Sequence, residues 1–232
     1  MSSIEFQNFA TGTEASFHAH RAACRKDSRK FYTRFVKRGF DLIMVVLIAP
    51  VILPVIALLW LMTIRDGGPG FFGHLRIGRN GKAFRCWKIR SMVVNAEEHL
   101  EKYLKENPEA AEEWKRDYKL TNDPRITRLG NFIRKTSLDE LPQIWNVITG
   151  EMSFVGPRPV IRAEMRKYTH GRTAYLTMRP GITGLWQVSG RNDVSYDERV
   201  RLDIRYLSEV SLWTDLRIMA ATAGAVLNRT GK

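Results

Sequence analysis

Charge is absent from one long stretch of this chain and dense nearly everywhere else. Residues 42 to 64 form a run of 23 positions without a formal charge. As a straight helix that run measures about 34 Å at 1.5 Å per residue, against a hydrocarbon thickness of roughly 30 Å. Its centre reads LIAPVILPVIALLW, with Pro50 and Pro54 four residues apart. Each proline lacks an N–H, so the carbonyls of Val46 and Pro50 lose their helical partners, and Ala49 and Leu53 are pushed away from helical geometry. The sequence therefore predicts a weak point mid-run. Two readings are open: a kinked helix that spans a membrane, and a re-entrant helix-break-helix hairpin with arms of about 15 Å each.

After this run the pattern becomes finer-grained. HLRIGRNGKAFRCWKIRSM predicts two short strands around Asn80-Gly81, a hairpin signal. NAEEHLEKYLKENPEAAEEWKRDYK predicts two solvated helices in series, with Asn95 at a cap position and Pro108 in a first turn. ITRLGNFIRKTS places Ile126, Leu129 and Ile133 on one helical face, and SLDELPQIWNVI follows as a second short helix. In GEMSFVGPRPV, Pro157 and Pro159 hold Arg158 out of a helix. VIRAEMRKYTHGRTAYLTM reads as helical, RPGITGLWQVSGRND as turns, and SYDERVRLDIRYLSE as helical again. The tail LWTDLRIMAATAGAVL has too short an uncharged run to span a bilayer. The fold class is α+β, mostly helical, with a small β-hairpin and one membrane element. Residues 1–30 are expected to be a disordered leader, 31–66 an amphipathic lead-in with the membrane hairpin, and 67–232 a catalytic domain on the membrane surface.

Charge placement bears on the two readings of the apolar run. The net charge is +13. Residues 21–38 hold eight Lys/Arg against Asp27, and residues 65–90 hold seven against Asp66, so these two flanks carry the whole excess. Short Lys/Arg-rich flanks stay cytoplasmic, and a straight span would strand one of them outside, which favours the hairpin. In SRKFYTRFVKRGF, Phe31, Tyr32, Phe35 and Val36 recur at helical spacing among Arg and Lys, as in a helix lying among anionic headgroups, or as in an ordinary amphipathic core helix. The late start of the apolar run excludes a cleaved secretory signal. Two cysteines, Cys24 and Cys86, are too few for a disulfide framework and fit a reducing setting. The two-sided charge around an apolar run argues against a nucleic-acid binder. It leaves a non-enzymatic scaffold on anionic lipids as the alternative to an enzyme.

Candidate chemistry centres on Asp139 and Glu140. Pro142 places this pair at or next to a helix N-terminus, where the macrodipole would lower its pKa and keep a nucleophile or metal ligand charged. Ser137-Leu138-Asp139-Glu140 also fits a capping box, in which the same residues only satisfy backbone donors. Arg134, Lys135, Arg158, Arg179 and Arg191 lie nearby in sequence, each a candidate phosphate grip or a solvated charge. An acid pair with rigid arginines beside a membrane points to metal-assisted phosphoryl transfer.

The run DPRITRLGNFIRKTSLDELPQIWNVITGEMSFVGPRP, followed by RPGITGLWQVSGRND, strongly resembles the bacterial sugar transferase family, the monotopic polyprenyl-phosphate phosphoglycosyl transferases. Within it the chain looks most like exopolysaccharide-initiating undecaprenyl-phosphate galactose phosphotransferases, over about residues 35 to 225. The resemblance implies a two-step reaction on a UDP-sugar: Asp139 attacks the sugar-bearing phosphate and expels UMP, and undecaprenyl phosphate then takes the phosphosugar from the aspartyl adduct. It implies Glu140 as a ligand of Mg²⁺ or Mn²⁺, and Arg134, Arg158, Arg191 and Lys88 as phosphate contacts. It also implies a cytoplasm-facing enzyme of the bacterial inner membrane that hands its product to downstream glycosyltransferases, as a homodimer or a monomer. The family breaks its membrane hairpin at Ser-Pro, where this chain has Ala49-Pro50, with Pro54 beyond to reinforce the bend.

Overall fold

The computed structural model describes residues 31–117, 120–168, 171–190 and 194–227. The leader expected over residues 1–30, with His18, His20 and Cys24, therefore lies outside the described residues, as does Arg191. A π-helical turn, Tyr32–Val36, runs directly into α1, Lys37–Thr63. A 3₁₀ turn, Ile64–Asp66, ends α1, and Gly67 with φ +80° takes the left-handed position that closes it.

Helix α1 corrects one expectation. Pro50 and Pro54 both lie inside a single 27-residue helix, and no non-helical residue separates two arms. Each proline removes one intrahelical bond and leaves the rest of the ladder intact. Packing holds the helix through that loss. Lys37, Asp41, Val45, Ile56, Leu59 and Thr63 are buried, and Ile48 and Ile52 are half-buried between them. These positions recur every three or four residues, so one contact stripe stays in phase across both prolines. The remaining surface is apolar and open, with Val46 and Val51 both 71% exposed. Among the described residues this is the one helix long and apolar enough to cross a membrane. Of the lead-in, Tyr32 turns into the core while Phe31 and Phe35 stay outside.

Each end of α1 is held by its own set of polar contacts. At the start, Lys37 pairs with Asp215, Arg38 donates to the carbonyls of Val147 and Ile148, and Asp41 accepts from Ser153 Oγ and the Phe154 N–H. At the finish, Arg90 donates to the Thr63 carbonyl and to the Asp66 carboxylate.

Strands β1, Phe71–Ile77, and β2, Ala83–Ile89, pair antiparallel through the expected turn, where Asn80 and Gly81 adopt φ of +58° and +77°. Helices α2, Ala96–Glu106, and α3, Pro108–Asp117, follow as expected, although Asn95 sits at the cap position in left-handed geometry without a side-chain cap bond. Helix α4, Arg128–Lys135, is capped by Thr127, whose hydroxyl accepts from the Gly130 N–H. Gly130 is a sterically required glycine, because a Cβ there would lie 1.9 Å from the Ser91 carbonyl oxygen. Helix α5, Gln143–Thr149, is fastened to the hairpin by the fully buried Asn146, which accepts from the Trp87 N–H and donates to the Arg85 carbonyl.

Further departures follow. Strands β3, Ser153–Val155, and β4, Gly181–Thr183, form a short parallel pair within segments that read as loop and turns. The segment read as one helix over 160–178 is two short ones, α6, Arg162–Met165, and α7, Arg172–Thr177. Gly171 opens the second, at a position where a Cβ would lie 2.4 Å from Val200. A short helix, α8, Leu185–Val188, also lies in the segment read as turns, and α9, Tyr196–Glu209, and α10, Leu212–Leu227, are the last described elements. The main core joins α1, the hairpin, α4, α5 and the parallel pair through Val45, Leu59, Ile89, Ile133, Val147 and Val155.

Candidate active site

The polar and apolar halves of the molecule meet in one open cleft of about 1260 Å³. Ile48 and Ile52 of α1, Ile144, Phe154, Ile182 and Val188 line one part of it. Its polar part carries Lys88, Arg134, Asp139, Glu140 and Arg158, so five sequence-predicted residues come together there. Arg179 does not join them: its Nε donates to the Gly150 carbonyl, which explains it as a turn-stabilising residue.

The acid pair sits on a 3₁₀ turn, Leu138–Glu140, directly before α5. The capping-box reading fails, because Ser137 has φ +58° and makes no side-chain cap bond. A left-handed serine costs on the order of 1–3 kcal/mol and persists where its surroundings impose it. Here it reverses the chain after α4 so that Asp139 turns inward, 6% exposed. The expected lowering of the acid pair's pKa is also overturned for Asp139. Burial, the largest cause, raises its pKa and the neighbouring Glu140 adds to this, while Lys88 and Arg134 pull it down. The helix that follows starts only at Gln143, and macrodipole stabilisation fades within a turn.

Lys88, on β2, bridges the pair, with Nζ 2.6 Å from Glu140 Oε1 and 3.4 Å from Asp139 Oδ2. Burial works against its ammonium, but Glu140 and Asp139 outweigh that and raise its pKa. Asn146 sets this geometry, since it ties the helix after the acid turn to the strand that carries Lys88. Arg134 Nε donates to Ser91 Oγ at 2.8 Å, and the guanidinium of Arg158 lies 5.8 Å from the Trp186 ring centre. Among the described residues neither arginine has a carboxylate at ion-pair distance, and both line the cleft.

Among the described residues no three His, Cys, Asp or Glu side chains cluster as a closed metal cage. The adjacent carboxylates of Asp139 and Glu140 still fit a hard divalent cation, because Mg²⁺ is held by one or two carboxylates and completes its shell with water and phosphate oxygens. Sequence reasoning missed His74 and Arg76, which line the same cleft from β1. Their signal was the alternation in FFGHLRI, where positions 72, 74 and 76 share a face.

Comparison with known proteins bears on this arrangement. A family model described as bacterial sugar transferase matches residues 32–229. Over 202 residues the chain is 55% identical to the UDP-galactose-lipid carrier transferase of Erwinia amylovora, covering 87% of this chain and 42% of that protein. It is 52% identical to the undecaprenyl-phosphate galactose phosphotransferase of Salmonella typhimurium, covering 86% of this chain and 42% of the relative. The exopolysaccharide production protein ExoY of Rhizobium meliloti is 49% identical, over 82% of this chain and 84% of its own length. The chain thus spans less than half the length of the first two relatives. From α1 through the acid turn to α10, the described architecture lies inside the matched region, and the chain belongs to the bacterial sugar transferase family.

Proposed function

We propose that the chain moves a hexose 1-phosphate from a UDP-sugar to undecaprenyl phosphate, the first step of exopolysaccharide repeat-unit assembly. The observation that carries this reading is Asp139, buried where a cationic pocket meets the apolar flank of α1. In the first step an Asp139 carboxylate oxygen attacks the sugar-bearing phosphorus. The bond from that phosphorus to the bridging oxygen breaks, and UMP leaves with the electron pair. In the second step a phosphate oxygen of the lipid attacks the aspartyl-bound phosphorus and the aspartyl–phosphorus bond breaks. The carboxylate is regenerated and a lipid diphosphate sugar is formed. Lys88, Arg134 and Arg158 neutralise the phosphate oxygens, and such charge stabilisation supplies most of the catalysis in phosphoryl transfer. Glu140, with Asp139, would hold Mg²⁺ or Mn²⁺, which would withdraw charge from the diphosphate.

The names of the relatives support undecaprenyl phosphate as acceptor and a UDP-sugar as donor. Incubating the protein with Mg²⁺, undecaprenyl phosphate and a panel of UDP-sugars should release UMP and form a lipid-linked sugar with at least one of them. No product with any donor would leave the lipid-binding scaffold as the better reading. In the same assay Glu140→Gln should shift the Mg²⁺ requirement upward by roughly tenfold or more, since even losing an outer-shell partner of a metal ligand costs about 10–100-fold in affinity. An unchanged Mg²⁺ titration would remove Glu140 as a ligand.

The same reading keeps both ends of α1 on the cytoplasmic face of the inner membrane, with the unbroken, proline-bent helix embedded in the near leaflet and not folded back as two arms. Support comes from the basic flanks on both sides of the run and from the polar contacts that fasten both residues 37–41 and residues 63–66 to the rest of the chain. Single cysteines at the exposed positions Arg34 and Arg65, in a Cys24→Ser background, should be labelled from the same side of sealed vesicles. Labelling from opposite sides would establish a spanning helix.

A further inference from the structure

The hairpin presents more chemistry to the cleft than the reaction so far employs. In the β1–β2 register, Phe72 faces Lys88, His74 faces Cys86, and Arg76 faces Phe84. Directly paired residues share a face, so Lys88, His74 and Arg76 follow one another along one side of the hairpin. All three line the cleft. From the level of Lys88 to that of Arg76 is four residues along the strand, about 13 Å at 3.3 Å each.

At the far end of this track Arg76 meets Arg158. An isolated antiparallel bridge between Ile77 and Val160, with the Ile77 N–H donating to the Val160 carbonyl at 2.9 Å, brings β1 against the Gly156–Val160 segment. Tyr175 fixes that junction, donating its hydroxyl to the Ile77 carbonyl and accepting from the Val160 N–H. Among the described residues the carboxylate paired with Arg76 is the partly exposed Glu164, 3.6 Å away. Arg76 and Arg158 thus repel each other with one loose counter-charge among the described residues, an arrangement that costs energy unless an anion joins it.

We propose that Arg76, with His74 beside it, binds the phosphate of the departing nucleoside monophosphate, so that the donor lies along β1 with its sugar-bearing phosphorus at Asp139 and its nucleoside towards Arg76 and Arg158. This assignment rests on the transfer reading above. It gives the track a direction, since Lys88 marks the attacked phosphorus and Arg76 marks the leaving group. Burial, then Arg76 and Lys88, lowers the His74 pKa, so its ring is neutral at neutral pH and contacts the phosphate as a hydrogen-bond donor without adding a third fixed charge. Holding the leaving phosphate against two fixed guanidiniums stabilises charge as it develops on the bridging oxygen.

Equilibrium binding of UMP to the full-length protein tests this without requiring turnover. Arg76→Gln should weaken UMP binding by at least about tenfold, the effect of losing one charge-assisted contact. His74→Phe should weaken it by a smaller factor. In the transfer assay both variants should raise the KM for the UDP-sugar and leave that for undecaprenyl phosphate unchanged. Glu164→Gln separates binding from scaffolding: it breaks the same ion pair yet should retain or tighten UMP binding. Unchanged UMP affinity in Arg76→Gln, or equal weakening in Arg76→Gln and Glu164→Gln, overturns the assignment. Wild-type protein that binds UMP but makes no lipid-linked sugar would defeat the transfer reading while leaving the nucleotide track in place.

Discussion

Asp139→Asn is expected to reduce transfer by at least about a thousandfold, the scale on which removal of a covalent nucleophile acts. The amide is nearly isosteric, and Asp139 packs in a site built mainly from backbone turns and Lys88, so the variant should fold and bind membranes as wild type does. Release of UMP in the absence of lipid acceptor should vanish with it. That half-reaction is the decisive measurement, since an enzyme in which the lipid phosphate attacked the donor directly would show no such release even as wild type. Transfer by Asp139→Asn at more than a few per cent of the wild-type rate would remove the aspartyl adduct from the mechanism.

The pH dependence follows from the same environment. Burial holds the Asp139 pKa above the ordinary carboxylate range, and Lys88 opposes that shift. Attack needs the ionised carboxylate, so the rate should decline as pH falls through this raised pKa, at higher pH than for an exposed aspartate. Removing the ammonium in Lys88→Met leaves burial and Glu140 opposed by the weaker pull of Arg134, and the acid limb should move further up.

How far the sequence revealed this site depended on the range of each interaction. The apolar run and the Asn80-Gly81 hairpin are local signals, and each appears where its residues predict it. Asp139, Glu140 and Arg158 were legible because turn residues beside them restrict the backbone. The β3–β4 pair was not: two three-residue strands are too short for a period, and their pairing depends on contacts between residues 153–155 and 181–183. Arg179 and Arg158 look alike in sequence, each beside a proline, and only the fold sends one to the Gly150 carbonyl and the other to the cleft. The pKa direction at Asp139 failed for the same reason, because a local dipole argument takes no account of burial by distant segments. His74 and Arg76 escaped because alternation identifies a shared face without saying what that face looks upon.

The second large effect concerns the fastening of α1, and it should appear as stability before it appears as chemistry. Asp215 is fully buried and accepts from Lys37 Nζ, from the Tyr32 hydroxyl at 2.6 Å and from the Tyr206 hydroxyl at 2.6 Å, joining the first turns of α1 to α9 and α10. Asp215→Asn leaves the Lys37 ammonium largely buried without its ion-pair partner, with the Tyr206 hydroxyl as a hydrogen-bond acceptor and the Asp41 carboxylate nearby. Stranding one member of a buried pair costs about 3–5 kcal/mol. For a chain of this size that corresponds to a fall of roughly 6–20 °C in Tm, measurable by thermal unfolding in detergent. Replacing both partners, as in Lys37→Met with Asp215→Leu, should recover the part of the loss that comes from the stranded charge, while the Tyr32 and Tyr206 hydroxyls still lose their acceptor. The functional consequence is selective. Ile48 and Ile52 reach the cleft from the middle of α1, so loosening its first turns displaces the apolar wall while the hairpin that carries Lys88 and Arg76 stays fastened to α5 by Asn146. In Asp215→Asn the KM for undecaprenyl phosphate should therefore rise while UMP affinity holds. An unchanged Tm, or a loss of UMP binding equal to the loss of lipid binding, would show that the buried aspartate does not position the helix.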